Sequence, residues 1–343
     1  MNMNEKFPPK ADPPLAEKAN MNKNFLVDDL KKTEMVPTRD GFGKGIVDAG
    51  EKDEKIVVLC ADLAESTRCH WFKEKFPARY IEIGVAEQNL ATVASGLANY
   101  GKIPFIASYA SFNPGRNNEQ IRTLVSLSKL PVKICGAHAG VSVGPDGATH
   151  QALEDIALMR VQPNMTVIVP CDAIEAKKAT LAAAFYDGPV YLRFGREKTP
   201  IFTTDKTPFE IGKAILFREG KDATIIGCGA LLYNALIAAE ELSKEGIDVE
   251  VINSHTIKPL DSETILNSVK KTNAVVSVEE HQIVGGLGSA IAEILAQNFP
   301  APQEFIGVHD RFGESGEASE LIEALGMGVK DIKAAVIKVI KRK

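Results

Sequence analysis

From about Val36 the chain alternates short runs of apolar and β-branched residues with longer stretches rich in alanine and leucine. Short continuous apolar runs mark strands buried on both faces, and their interruption by helical periodicity predicts parallel sheets joined by helices. In the first half the predicted strands are KIVVLCA, YIEIGV, IPFIAS, VKICGAH, MTVIVP and PVYLRF, with helices over EQNLATVASGLANY and AIEAKKATLAAAFY. The pattern breaks near Pro200, where TPIFTTDKTPF brings prolines and threonines. It then resumes with ATIIGCG, a helix over LLYNALIAAEELSKEG, strands DVEVINS and AVVSVEE, a helix after GGLGSA, and a last helix running into the basic end IKVIKRK. The expected fold is α/β, with two tandem domains of mainly parallel sheets flanked by helices. The first domain is placed at 36–200, a linker at 201–207 and the second domain at 208–343. Residues 1–35, with their prolines, charges and asparagines, have little to bury and are expected to be extended or disordered until docked.

Composition narrows the function classes. The 343 residues are 45% hydrophobic, enough for two cores, and the net charge of −5 comes with scattered lysines and arginines. That leaves no electrostatic footprint for nucleic acid or an anionic membrane, so any phosphate binding must be local. Five cysteines, Cys60, Cys69, Cys135, Cys171 and Cys228, are an odd number without metal-type spacing, which argues against disulfides or zinc and for a reducing cytoplasm. No apolar run reaches the roughly 20 residues of a membrane helix, and the N-terminus lacks the order of a signal peptide.

Four features carry candidate chemistry. Glu87 stands where the strand YIEIGV gives way to a helix, a position equally suited to an ordinary capping carboxylate. The glycine-rich CGAHAGVSVGPDGATHQALED places His138, Asp146 and His150 on a loop leaving a strand; such loops bear proton transfer and hydrogen bonding to polyhydroxylated substrates, or are merely solvent-exposed. Tyr109 and Phe112, beside a Pro-Gly turn and followed by Arg116 and Arg122, are either a stacking platform or packing groups. Arg39, Arg193 and Arg196 hold a phosphate if they converge and are surface ion pairs if they do not.

Taken together and in this order, these segments resemble the C-terminal half of transketolase, its pyrimidine-binding domain and the domain after it. The resemblance covers about 36–343 and stands on Arg39, DLAES with Asp62 and Ser66, GVAEQ with Glu87, the Tyr109/Phe112 loop, and AHAGVSVGPDGATHQ. It departs at FNPGR, which carries an extra residue, at Asn117 and Asn118, where the family often has an aromatic, and at Ala139, where an aspartate is common. The resemblance implies thiamine diphosphate as cofactor, with Glu87 bonding the aminopyrimidine nitrogen, Phe112 and Tyr109 stacking on the ring, and Asp62 beside it. It further implies that His138 and His150 are catalytic, that they and Asp146 orient sugar hydroxyls, and that Arg39, Ser66 and Arg193 hold the terminal phosphate. The implied reaction passes a two-carbon ketol unit from a ketose phosphate to an aldose phosphate.

Full-length relatives carry another domain, with a Gly-Asp-Gly segment that grips the diphosphate and its metal; that segment is missing from this sequence. The expectation is therefore a partner subunit bearing the diphosphate-binding domain and most of the hold on Mg2+ or Ca2+, in an assembly with two copies of each chain. No metal ligand is assigned to this chain. The rival readings are a β-type subunit of a 2-oxo acid dehydrogenase, which lacks the DGATHQ type of loop, and a scaffold subunit of the same fold without chemistry. In the second domain His255, His281 and His309 are isolated, and GGLGSA is too common a pattern to mark a phosphate loop. That domain is expected mainly to stabilise subunit contacts.

Overall fold

The computed structural model describes residues 21–343. Its fourteen strands, in chain order, are β1 (Met35–Pro37), β2 (Ile56–Cys60), β3 (Tyr80–Glu82), β4 (Ile103–Tyr109), β5 (Lys133–Ala137), β6 (Thr166–Ile168), β7 (Val190–Arg193), β8 (Lys198–Pro200), β9 (Ile215–Arg218), β10 (Ala223–Gly227), β11 (Val249–Asn253), β12 (Thr256–Lys258), β13 (Val275–Gln282) and β14 (Gln303–Val308). They form a seven-stranded sheet of order β12-β6-β7-β5-β4-β2-β3, a five-stranded sheet of order β14-β13-β10-β11-β9, and the small pair β1-β8. Every pairing within the larger sheets is parallel except β12 with β6 and β9 with β11. Every residue of β2, β5, β7, β10 and β11 is buried, as strands covered by helices on both faces must be. The two-domain α/β organisation is as the sequence pattern implies.

The patterning passed over β9, β12, β14 and the helices Thr38–Lys52 and Ser262–Thr272. Thr38–Lys52 is hard to see because four glycines, Gly41, Gly43, Gly45 and Gly50, dilute its helix propensity. They are there for close approach. A Cβ on Gly41 would run into the Ala173 carbonyl, and one on Gly45 would lie 2.7 Å from Thr180 Cβ, both on the helix Ala173–Ala184. That second helix starts cleanly, its Asp172 cap accepting from the Glu175 amide at 2.9 Å.

The two halves interlock. β12 comes from the second half of the chain yet forms the edge of the first sheet. The linker expected over 201–207 is pinned: Asp172 accepts from the Phe202 and Thr203 amides at 3.0 and 2.7 Å, and Phe202 is fully buried. Of the expected tail, 1–20 lie outside the described residues, whereas 21–34 are docked. The Asn22 amide donates to the Phe217 carbonyl at 2.9 Å, Val27 to Phe202 at 3.0 Å, and Leu26 and Leu30 enter the core of the second domain.

Candidate active site

Open parallel sheets place their sites beyond the carboxyl ends of their strands, and the predicted residues gather there. Tyr109 ends β4, His138 follows β5, and Asp62 and Ser66 follow β2. Glu87 opens the helix Glu87–Asn99 and is 4% exposed. Its carboxylate meets the Arg116 Nη1 at 3.5 Å, and its carbonyl accepts from Asn117 Nδ2 at 3.0 Å. Asn117 is thus a buried brace under Glu87, bonded also to Asn113 at 2.9 Å, which accounts for an asparagine where an aromatic was expected.

Four rings make one cluster. Tyr109 stacks on His138 with centroids 4.0 Å apart and lies 6.0 Å from Phe112, while His150 presents its edge to Tyr109 at 5.9 Å and to Phe112 at 5.4 Å. The Arg116 guanidinium lies over the Phe112 ring at 4.4 Å, so it bridges the aromatic group and Glu87.

His138 is 2% exposed and adopts a left-handed backbone, φ 54°. Burial, with the positive charge of Arg39 next, lowers its pKa from 6.5 to about 3. It is neutral in this setting. Arg39 Nη1 approaches its Nε2 at 3.4 Å, and a guanidinium can only donate, so Nε2 accepts and the proton sits on Nδ1. Nδ1 is buried and, among the described residues, has no hydrogen-bond partner. His150 is half-buried and its Nδ1 lies 2.8 Å from Thr149 Oγ1.

The cationic residues sort differently from the sequence expectation. Arg39 holds the Ser66 carbonyl at 3.0 Å, and Arg39, Arg196 and Arg68 are the charges that depress His138. Arg193 is not among them. Its Nε donates to Asp155 Oδ2 at 2.7 Å and its Nη2 to the Glu280 carbonyl at 2.8 Å, in a pair whose side chains are 6% and 1% exposed. The phosphate role given to Arg193 is therefore corrected: its guanidinium is committed to an internal ion pair. The signal that separates the two arginines is position, since Arg193 is the last residue of a fully buried strand and Arg196 lies three residues beyond its carboxyl end. Arg68 was missed outright; it lies two residues past Ser66, with φ 69° and its Nε on Asp40 at 2.6 Å.

Two other expectations are not met as drawn. Asp146 is exposed, and among the described residues no hydrogen bond joins it to either histidine. Asp62 is exposed, and it is its backbone amide that is engaged, with Glu82 Oε1 at 2.7 Å. In GGLGSA the helix-start amides of Leu287 and Gly288 are already taken by Glu279, each at 2.8 Å, and so hold an internal carboxylate.

The family model described as transketolase, pyrimidine binding domain, matches residues 34–201, and that described as transketolase, C-terminal domain, matches 212–332. A Methanocaldococcus jannaschii protein named as a transketolase C-terminal section is 44% identical over 307 residues, 89% of this chain and 96% of its own length. A Clostridium sp. protein named 6-deoxy-6-sulfo-D-fructose transketolase subunit is 41% identical over 323 residues, 94% of this chain and 99% of its own. A solved structure described as a split gene transketolase, inactive beta4 tetramer, superposes with a TM-score of 0.84 at 45% identity, covering 89% of this chain and 99% of that one.

Proposed function

The chain belongs to the transketolase family, and from that premise we propose that it is one subunit of a two-subunit, thiamine-diphosphate-dependent transketolase. The proposed reaction moves a two-carbon ketol unit from a ketose phosphate to an aldose phosphate. The observation that carries it is the unmet hydrogen-bonding capacity around the ring cluster. Glu87 is buried and, among the described residues, its carboxylate has just the 3.5 Å contact to Arg116 and the His138 Nδ1 donor has no partner. These unpaired groups and the adjoining aromatic faces fit an aminopyrimidine and a polyhydroxylated sugar. When bound, the cofactor supplies a carbon centre that holds the ketol unit between donor and acceptor.

The roles of the chain's own residues follow from their settings. Glu87 hydrogen-bonds the aminopyrimidine and so sets its protonation. Phe112 and Tyr109 give the heterocycle its apolar wall. His138, neutral, orients a substrate hydroxyl or carbonyl by hydrogen bonding, which leaves His150 as the histidine placed to move a proton. Arg39, Ser66, Arg68 and Arg196 line the far end, where the crowded guanidiniums favour an anionic terminus. The Clostridium relative is named for a sulfonated sugar, and a sulfonate and a phosphate share that anionic end. The proposed terminus is a phosphate.

Partner dependence is supported by coverage: the chain matches nearly the whole of a protein named as a transketolase C-terminal section and of a structure described as a split gene transketolase, inactive beta4 tetramer. The partner would carry the diphosphate grip and the Mg2+, with two copies of each chain, in the cytoplasm, which suits five free buried cysteines. The test is ketol transfer with thiamine diphosphate and Mg2+, first with this chain alone and then with its partner. No turnover alone, turnover on mixing, and a loss of about 10²-fold or more in Glu87→Gln are expected. Full turnover by the isolated chain would sink the split reading, and oxidation of a 2-oxo acid with an electron acceptor in place of ketol transfer would favour the dehydrogenase reading.

A further inference from the structure

The turn that carries the histidines belongs to the first domain by sequence, yet much of what holds it comes from the second. Val141 and Leu153, at its two ends, are fully buried in the same apolar core as Val308, Leu321 and Val336. From β13, Glu280 reaches across, and its Oε1 accepts from the Ser142 amide at 2.6 Å. The fit is tight: Gly140 has φ 86°, and a Cβ on it would run into the Glu280 carboxylate. On the other flank Gln151, next to His150 and 3% exposed, donates from Nε2 to the Glu314 carbonyl at 3.0 Å and to Val141 and Gly144 at 3.1 and 3.3 Å. A Cβ on Gly147 would lie 2.6 Å from Ser315 Oγ. The loop is therefore gripped on one side by Glu280 and on the other by the segment around Gly313–Ser315.

We propose that the second domain positions the histidine loop, with Glu280 and the Gly313–Ser315 segment as positioning elements that fix His150 and the turn after His138 against the ring cluster. The role in catalysis rests on the transketolase reading above; the mechanical claim does not. Buried amides without an acceptor are costly, so removing the Glu280 oxygen should free this turn while the rest of the fold stays closed. Glu280 acts through the loop, and its acceptor oxygen rather than its charge is what matters.

Three variants separate this from a loss of folding. Glu280→Leu removes the acceptor and Glu280→Gln keeps one. Gly313→Ala acts from a half-exposed loop, where the new methyl would run into the Gln151 amide oxygen and push that amide off its three carbonyls. Hydrogen exchange on the full chain alone should show amides over 140–151 exchanging about tenfold faster or more in Glu280→Leu and Gly313→Ala, with β10 and β11 unchanged and Glu280→Gln close to the parent. In the assembled enzyme, kcat/KM for the sugar phosphates should fall about tenfold in the same two variants with the Kd for thiamine diphosphate unchanged, because Glu87 and Phe112 lie off this loop. Unchanged exchange over 140–151 in Gly313→Ala would overturn the proposal, and so would acceleration spread evenly over both domains. If Glu280→Leu fails to fold, Gly313→Ala decides. If the parent assembly shows no ketol transfer, the proposed function falls and the exchange data still decide this inference.

Discussion

At the scale of single residues, environment assigns roles that residue identity leaves open. His138 and His150 stand in one glycine-rich stretch and look alike in sequence, but His138 is buried among Arg39, Arg196 and Arg68 and its pKa falls to about 3. NMR of the imidazole should therefore show no titration of His138 from about pH 9 down to about pH 5. The stability consequence has a definite sign. Below 6.5 the unfolded chain takes up a proton that the native His138 refuses, so its contribution is intact above 6.5 and is lost as pH falls toward 3. His255, fully buried against Phe209 and likewise lowered from 6.5 to about 3, acts in the same direction and in the same window. The arginines divide as sharply. Arg193→Ala strips a buried partner from Asp155 and should cost about 3–5 kcal/mol in denaturant unfolding. Arg196, whose Nη1 donates to the Val143 carbonyl at 2.7 Å from a partly exposed side chain, should on replacement by alanine cost only about 1–2 kcal/mol and raise KM for the sugar phosphate about tenfold or more. Equal stability losses in the two variants would contradict the assignment.

At the scale of elements, packing turns glycines in one helix into contacts and leaves a glycine in another idle. Replacing Gly41 or Gly45 by alanine should improve helix propensity by about 1 kcal/mol, yet each methyl would meet the helix Ala173–Ala184, and overpacking costs about 1–3 kcal/mol. A net loss in thermal or urea unfolding is expected. Gly96, exposed in the helix Glu87–Asn99 with open space around it, is the control: Gly96→Ala should stabilise by about 0.5–1 kcal/mol. The same contrast explains what could be read from the sequence. The strands β2, β4 and β10 show in it because their burial on both faces demands largely apolar runs. So does the placement of Glu87, His138 and His150 at strand ends, since a parallel sheet has its loops there. The helix Thr38–Lys52 hid because its residues are chosen for a neighbour that lies far along the chain. β9 and β12 hid because each is a short antiparallel edge whose partner strand is non-adjacent. The commitment of Arg193 to Asp155 hid for the same reason: a pairing across 38 residues leaves no local pattern.

At the scale of the whole molecule, two domains by pattern behave as one body by contact. β12 closes the first sheet from the second half of the chain, and Val141 and Leu153 of the first half lie inside the second core. The segment 21–34 ties both to the linker, with Leu26 bridged to Thr203 and the Tyr233 hydroxyl donating to the Leu30 carbonyl at 2.8 Å. Separating the halves would expose Val141 and Leu153, at about 1.5–3 kcal/mol for each buried side chain, and strip β6 of its edge partner. Urea unfolding of the full chain, followed by far-ultraviolet circular dichroism and by the fluorescence of Trp71, the single tryptophan in the first half, should accordingly give coincident transitions. A chain ended at residue 207 should lack a cooperative transition and bind a hydrophobic dye, because a sheet without β12 and a turn without its core cannot hold their packing. Two separated transitions in the full chain, or a sharply folding fragment, would show instead that the interlock contributes little to stability and that the halves fold as independent units.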